Sequence, residues 1–101
     1  HAPLGADTII NQLKPNEVLT IAEGLNVFRE QVRSSLAGTS LAENRIRENT
    51  GCSVVAISSQ GKLNLSPDPF TPLQEGDELI LIGLFEAEKS FRQHYLPVKS
   101  K

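Results

Sequence analysis

Apolar positions along the chain change period several times, and each change marks an element. Residues 6–13 place Ala6, Ile9, Ile10 and Leu13 at helical spacing, with Asp7 as N-cap and Pro15 as stop. This helix has no partner nearby in sequence, so it reads as the end of a preceding unit plus a connector. Residues 17–32 are ambiguous: Val18, Leu19 and Ile21 suggest a short strand, and Glu23-Gly24 a turn. Val27, Phe28 and Val32 predict a second strand reaching Arg33. Residues 40–50 predict one helix. Ser40 with Glu43 three residues later forms a capping box, Gly51 supplies a left-handed stop, and Leu41, Ala42 and Ile46 make a narrow apolar stripe.

Residues 52–58 then predict a strand, Gln60-Gly61 a turn and 62–65 a returning strand. Pro67, Pro69 and Pro72 impose an irregular loop. Glu75-Gly76-Asp77 signals another turn, ahead of the most apolar strand, 78–84. A last helix over 86–95 carries Ala87, Phe91 and Tyr95 on one stripe, with Glu88 and Arg92 as an exposed pair four residues apart. The order is strand, helix, strand, strand, strand, helix. That is an α+β domain, with a small mixed or antiparallel sheet and two helices on one face.

Both sides of the central strands are apolar. Leu79 and Leu81 oppose Ile80, Ile82 and Leu84, and Val54 and Ala56 oppose Val55 and Ile57. A sheet with one wet face alternates apolar with polar, so the second face here needs a cover. A two-fold-related copy is the simplest one; the alternative is that the 6–22 segment folds back over it. The expectation favours a homodimer.

The chain has 101 residues, ten Lys and Arg, and twelve Asp and Glu, for a formal charge of −2. Neither sign dominates, and the aromatics are not interleaved with basic residues, which argues against a nucleic-acid partner. No apolar run approaches the roughly 20 residues that span a bilayer. The lone Cys52 has no internal disulfide partner and reads as a small core residue. His1 and His94 offer no metal-ligand spacing, and the carboxylates Asp68, Glu75, Asp77 and Glu78 sit at turns where they are solvated. No catalytic constellation is present, and the expectation is a non-enzyme with no catalytic or metal residues. The chain lacks Met and begins at His1, as expected of a processed or excised piece.

A family likeness emerges from the ordered set Leu36-Ala37-Gly38-Thr39-Ser40-Leu41, Gly51 through Ile57, Ser66-Pro67, and Leu73, Gly76, Asp77, Leu79 and Gly83. Together these resemble the TrkA-C domain, the C-terminal lobe of the RCK domains that regulate potassium conductance. Gly38, Gly51, Gly76, Asp77 and Gly83 are the structural turn and close-approach positions of the pattern. The resemblance implies a division into a connector at 1–24, a regulatory domain at 25–96 and a tail at 97–101. It implies a homodimer attached to an N-terminal nucleotide-binding lobe and a membrane pore, on the cytoplasmic face of the membrane. No cofactor is expected in this fragment, and NAD or ATP is expected in the N-terminal lobe.

In some members a cleft between two lobes binds a small effector such as cyclic di-AMP or a cation. The ligand-binding positions that carry over are Arg47, Ser53 and Pro67. Ser53 stands where cyclic di-AMP binders carry Asn, which implies weak or no binding of that nucleotide. Arg47 is instead expected to pair with Glu43. The alternative reading is an accessory lobe of a transporter for another ion or an acidic metabolite.

Overall fold

The computed structural model describes residues 12–15 and 17–95; most of the helix expected over 6–13 and the tail at 97–101 lie outside them. Five strands form one sheet: β1 Val18–Ala22, β2 Leu25–Gln31, β3 Ser53–Ser59, β4 Lys62–Asn64 and β5 Glu78–Leu84. Their spatial order is β1-β2-β5-β3-β4, and every pairing is antiparallel. The most apolar strand, β5, takes the centre. There it pairs with β2 from Leu25↔Leu84 to Gln31↔Glu78 and with β3 on its other edge.

The α+β class and the antiparallel sheet are as the apolar pattern predicts. Phe28, Leu79 and Leu81 face one way and are fully buried. Ile46 and Phe91 from the helices cover them, together with Val32, Leu36, Cys52 and Leu73. Phe91 meets Phe28 edge-on at 5.8 Å between ring centres, a favoured aromatic geometry.

The helix expected over 40–50 is in fact two: α1 Leu41–Asn44 and α2 Ile46–Thr50. Arg45 between them is left-handed, at φ 48° and ψ 50°. The capping box forms as read, with Glu43 N–H donating to Ser40 Oγ and Ser40 N–H donating to the Glu43 carboxylate at 2.8 Å. The break follows from the Asn44 carbonyl. It accepts from the Tyr95 hydroxyl at 2.7 Å and from Asn49 Nδ2 at 2.9 Å, so it is taken by side chains instead of continuing the helical ladder.

The last helix, α3, runs Phe85–Tyr95 and carries the expected stripe. Its Glu88–Arg92 pair forms, at 3.1 Å, but it is not exposed. Arg92 also pairs with the buried Glu30 on β2, Asn26 Nδ2 donates to Glu88, and the guanidinium lies 5.0 Å from the Phe28 ring centre. One cation thus serves two buried carboxylates and fastens α3 to the sheet.

The second sheet face is apolar, as read, but its centre is closed within one chain. Ala56 and Ile80 are fully buried, with Val27 and Leu63 packed against them. Arg29, between Phe28 and Glu30 and so on this side, donates to Glu78 at 2.7 Å and to the Leu13 carbonyl at 2.9 Å. Leu13 is itself buried. Exposed apolar groups remain at the margin: Leu19, Val55 and Leu84.

Gly76 sits in the turn before β5 at φ 97°, a conformation that costs an L-residue of order 1–3 kcal/mol. The turn is closed by Ser59 Oγ and Gln74 N–H donating to the Asp77 carboxylate at 2.9 and 3.2 Å, while Val32 N–H donates to the Asp77 carbonyl. Nothing lies within 4 Å of where a Cβ would stand, so the constraint is dihedral and not steric. Gly76→Val is therefore expected to lower the urea midpoint more than Cys52→Ala, which removes a single sulfur. Equal midpoints would show that the turn tolerates an L-residue.

Candidate functional site

An open groove of about 490 Å³ runs between α1, α2 and the start of β3. Leu41, Ala42, Ile46, Val54 and Pro69 form its apolar wall, and Arg45, Arg47, Glu48 and Ser53 its polar members. The spacing of the sequence explains why Arg47 and Ser53 meet here. Gly51 ends α2 at φ 89° with its N–H donating to the Arg47 carbonyl at 2.8 Å. The chain reverses through this left-handed residue and enters β3 beside the last turn of α2.

Arg47 does not pair with Glu43, contrary to expectation. The Glu43 carboxylate is engaged by the Ser40 N–H, and the left-handed Arg45 removes the continuous helix on which positions 43 and 47 would be neighbours. Among the described residues, the ion pairs are Arg29–Glu78 and those of Arg92 with Glu30 and Glu88. Arg47 is exposed and has no carboxylate partner. The same holds for Arg45, which no sequence motif singles out. Its residue type gives no sign of a left-handed conformation, and only the capture of the Asn44 carbonyl by distant Tyr95 reveals it.

Pro67 is not in this groove. It lines a separate depression of about 250 Å³ with Asn64, Asp68, Thr71, Gln74 and Asp77. Within one chain the three carried-over positions therefore divide: Arg47 and Ser53 together, Pro67 apart. Gly38, at φ 86°, takes the left-handed turn that leads into α1, its N–H donating to the Leu73 carbonyl at 2.8 Å. Gly83 lies behind the groove, where an added Cβ would meet Cys52 Sγ at 2.9 Å.

Cys52 is fully buried and unpaired with another cysteine. Burial pushes its thiol above the ordinary range, and a hydrogen bond with Thr50 acts more weakly in the opposite direction. A thiol held protonated in an apolar core is a poor nucleophile, consistent with packing as its role. No three His, Cys, Asp or Glu gather into a metal-binding group among the described residues. No helix among them is long and apolar enough to cross a membrane.

Several solved structures share this architecture. The GsuK channel is 48% identical over 70% of this chain, at a TM-score of 0.64, and this chain spans only 13% of that one. The same channel is also known bound to NAD. The RCK_C domain dimer of S. agalactiae BusR, in complex with c-di-AMP, is 25% identical, covering 68% of this chain and 93% of that one at a TM-score of 0.60. The RCK C domain of the potassium transport protein KtrA, also in complex with c-di-AMP, covers 89% of this chain and 99% of that one at a TM-score of 0.68. Its 23% identity speaks for the fold alone. No curated protein matches the sequence significantly. The model of the TrkA-C domain family matches residues 25–94, the span from the start of β2 to the penultimate residue of α3, and the chain belongs to that family.

Proposed function

We propose that this domain is the effector-sensing C-terminal lobe of a potassium channel or potassium-uptake protein. Its groove holds a small anionic effector between two copies of the domain. The observation that carries this reading is the unpaired Arg47 guanidinium beside Ser53 in an open groove. A charged group with no internal partner is available for a charge-assisted contact to phosphate. Two copies related by a two-fold axis present two such groups, which suits a two-fold-symmetric dianion. Pro67 joins the site only if the second copy supplies it. Residues 1–24 act as the connector to a preceding lobe, the domain proper is 25–96 and the tail is 97–101. NAD or ATP binding belongs to the preceding lobe, and the domain works at the cytoplasmic face of the membrane beside a pore.

Effector binding changes conductance only by the difference in its affinity for two arrangements of the dimer. The BusR and KtrA complexes make cyclic di-AMP the first ligand to test. Ser53 has a shorter polar reach than an amide side chain, which lowers the expected affinity, and the free Arg47 raises it. Calorimetric titration with cyclic di-AMP is expected to give weak, micromolar binding, lowered about a hundredfold or more in Arg47→Ala, which removes two charge-assisted contacts, one from each copy. Ser53→Asn is expected to tighten it. No heat with either the native domain or Ser53→Asn would exclude this ligand; binding unchanged in Arg47→Ala would place the site elsewhere.

A further inference from the structure

Among the described residues Phe70 is the most exposed large apolar side chain, at 76%, yet the backbone that carries it is firmly held. Its N–H donates to Asp68 Oδ1 at 2.9 Å, and Thr71 N–H donates to the Asp68 carbonyl. Pro69 precedes it, with a carbonyl that accepts from Ala42 N–H at 2.9 Å, and the Leu73 N–H donates to Thr39. Pro72 stiffens the other side. An isolated apolar group at a surface needs no explanation, but an aromatic on a pre-ordered loop loses little freedom on docking. It has the character of an interface anchor.

The loop that presents Phe70 also borders the groove, through Pro69. A knob and an apolar recess are therefore neighbours on one surface. A two-fold axis passing between them places each knob in the recess of the other copy, the reciprocal contact an isologous interface requires. The charges agree with this docking. Asp68 beside the knob is exposed, and the groove carries Arg45 and Arg47 against Glu48 alone.

We infer that Phe70 of one copy seats against the groove wall of Leu41, Ala42 and Ile46 in a second copy, with Asp68 facing the arginines. The groove is then completed by the partner, and Arg47 and Ser53 remain for the effector. This rests on the dimeric reading above and adds to it the contact that holds the dimer.

The chain has no Trp, so Phe70→Trp introduces a single reporter. Its emission is expected to shift to the blue, and its acrylamide quenching to fall severalfold, over the concentrations at which sedimentation equilibrium shows a dimer forming. Both are expected to reverse on dilution. Phe70→Ala, a change at an exposed site, is expected to raise the dimer dissociation constant at least a hundredfold, because each dimer contains the contact twice. A dimer in which the Trp stays solvent-exposed, or that Phe70→Ala leaves unweakened, overturns this inference alone. A native chain that stays monomeric at every concentration overturns the dimeric reading with it.

Discussion

Gly83→Ala is expected to destabilise the domain by about 2 kcal/mol, and Gly83→Val by more. The cause is space and not backbone conformation. Gly83 lies in the central strand β5, and any Cβ there would stand 2.9 Å from Cys52 Sγ, 3.1 Å from Ala87 Cβ and 3.5 Å from Cys52 Cα. Contacts that close force the neighbours apart, and overpacking a finished core costs roughly 1–3 kcal/mol. Here the neighbours are short. Ala87 cannot rotate out of the way, and Cys52 has a single rotatable bond in a fully buried site. Relief must come from moving α3 off the sheet, which also stretches the ion pair of Arg92 with Glu30 on β2.

The same geometry predicts a partial rescue. Cys52→Ala removes the sulfur and leaves the Ala87 contact, so the double variant Cys52→Ala with Gly83→Ala should lose less than the two single changes sum to. Coupling between touching residues of this kind is of order 0.5–3 kcal/mol. Urea midpoints of the four proteins in the cycle measure it. Strict additivity would mean that α3, and not Cys52, is the obstacle.

Arg92→Met is the second change with a large expected effect. Arg92 reaches Glu30 on β2 and Glu88 one turn earlier on α3, and it lies over the Phe28 ring. Without the guanidinium, two largely buried carboxylates are left with no cation. Removing one partner of a buried pair costs about 3–5 kcal/mol, mostly through the charge left behind. Arg92 remains 32% exposed, so water screens part of that charge and the loss should be about 3 kcal/mol. Met keeps much of the packing of the side-chain stem, so the loss reports on charge. If that account is right, adding Glu30→Gln to Arg92→Met restores part of the stability, because it removes one stranded charge. Arg92→Lys should fall between, since one ammonium cannot reproduce a planar fork that bridges two carboxylates. A midpoint unchanged in Arg92→Met would show that Glu30 and Glu88 are solvated in the folded chain.

The elements legible in the sequence are those whose cause is local. The strand at 78–84 follows from the run 79–84, which carries no polar side chain on either side and fits only the middle of a sheet covered on both faces. The turn at Gly76, the stop at Gly51 and the capping box at Ser40 are each written within four residues. β1 stays ambiguous in the sequence because all five of its residues are exposed, so no buried face imprints a period on it. Its only described strand partner is β2. The break at Arg45 could not be read, because its cause is Tyr95, fifty residues away in sequence, donating to the Asn44 carbonyl. The same break overturned the expected Glu43–Arg47 pair and left Arg47 facing the groove without a carboxylate.

The Glu88–Arg92 spacing was visible, but its burial was not, since that depends on β2 bringing Glu30 to the same point. The surplus apolar face was legible as surplus. That Leu13 and Arg29 help to close it in one chain depends on where the connector lies, which no periodicity encodes. Of the site, Arg47 and Ser53 were legible as neighbours across Gly51. Arg45 and the anchoring of Phe70 were not, because both are set by hydrogen bonds between segments.

In the proposed function two copies of this domain enclose the groove, and an anionic effector acts by stabilising that arrangement. A ligand held by both copies must tighten the dimer by linkage. Sedimentation equilibrium of the domain from nanomolar to high micromolar concentration, with and without saturating cyclic di-AMP, tests this directly. A reversible monomer–dimer equilibrium is expected, with a dissociation constant that falls when the nucleotide is present and falls much less in Arg47→Ala. A monomer mass at every concentration, with the nucleotide and without it, would contradict it.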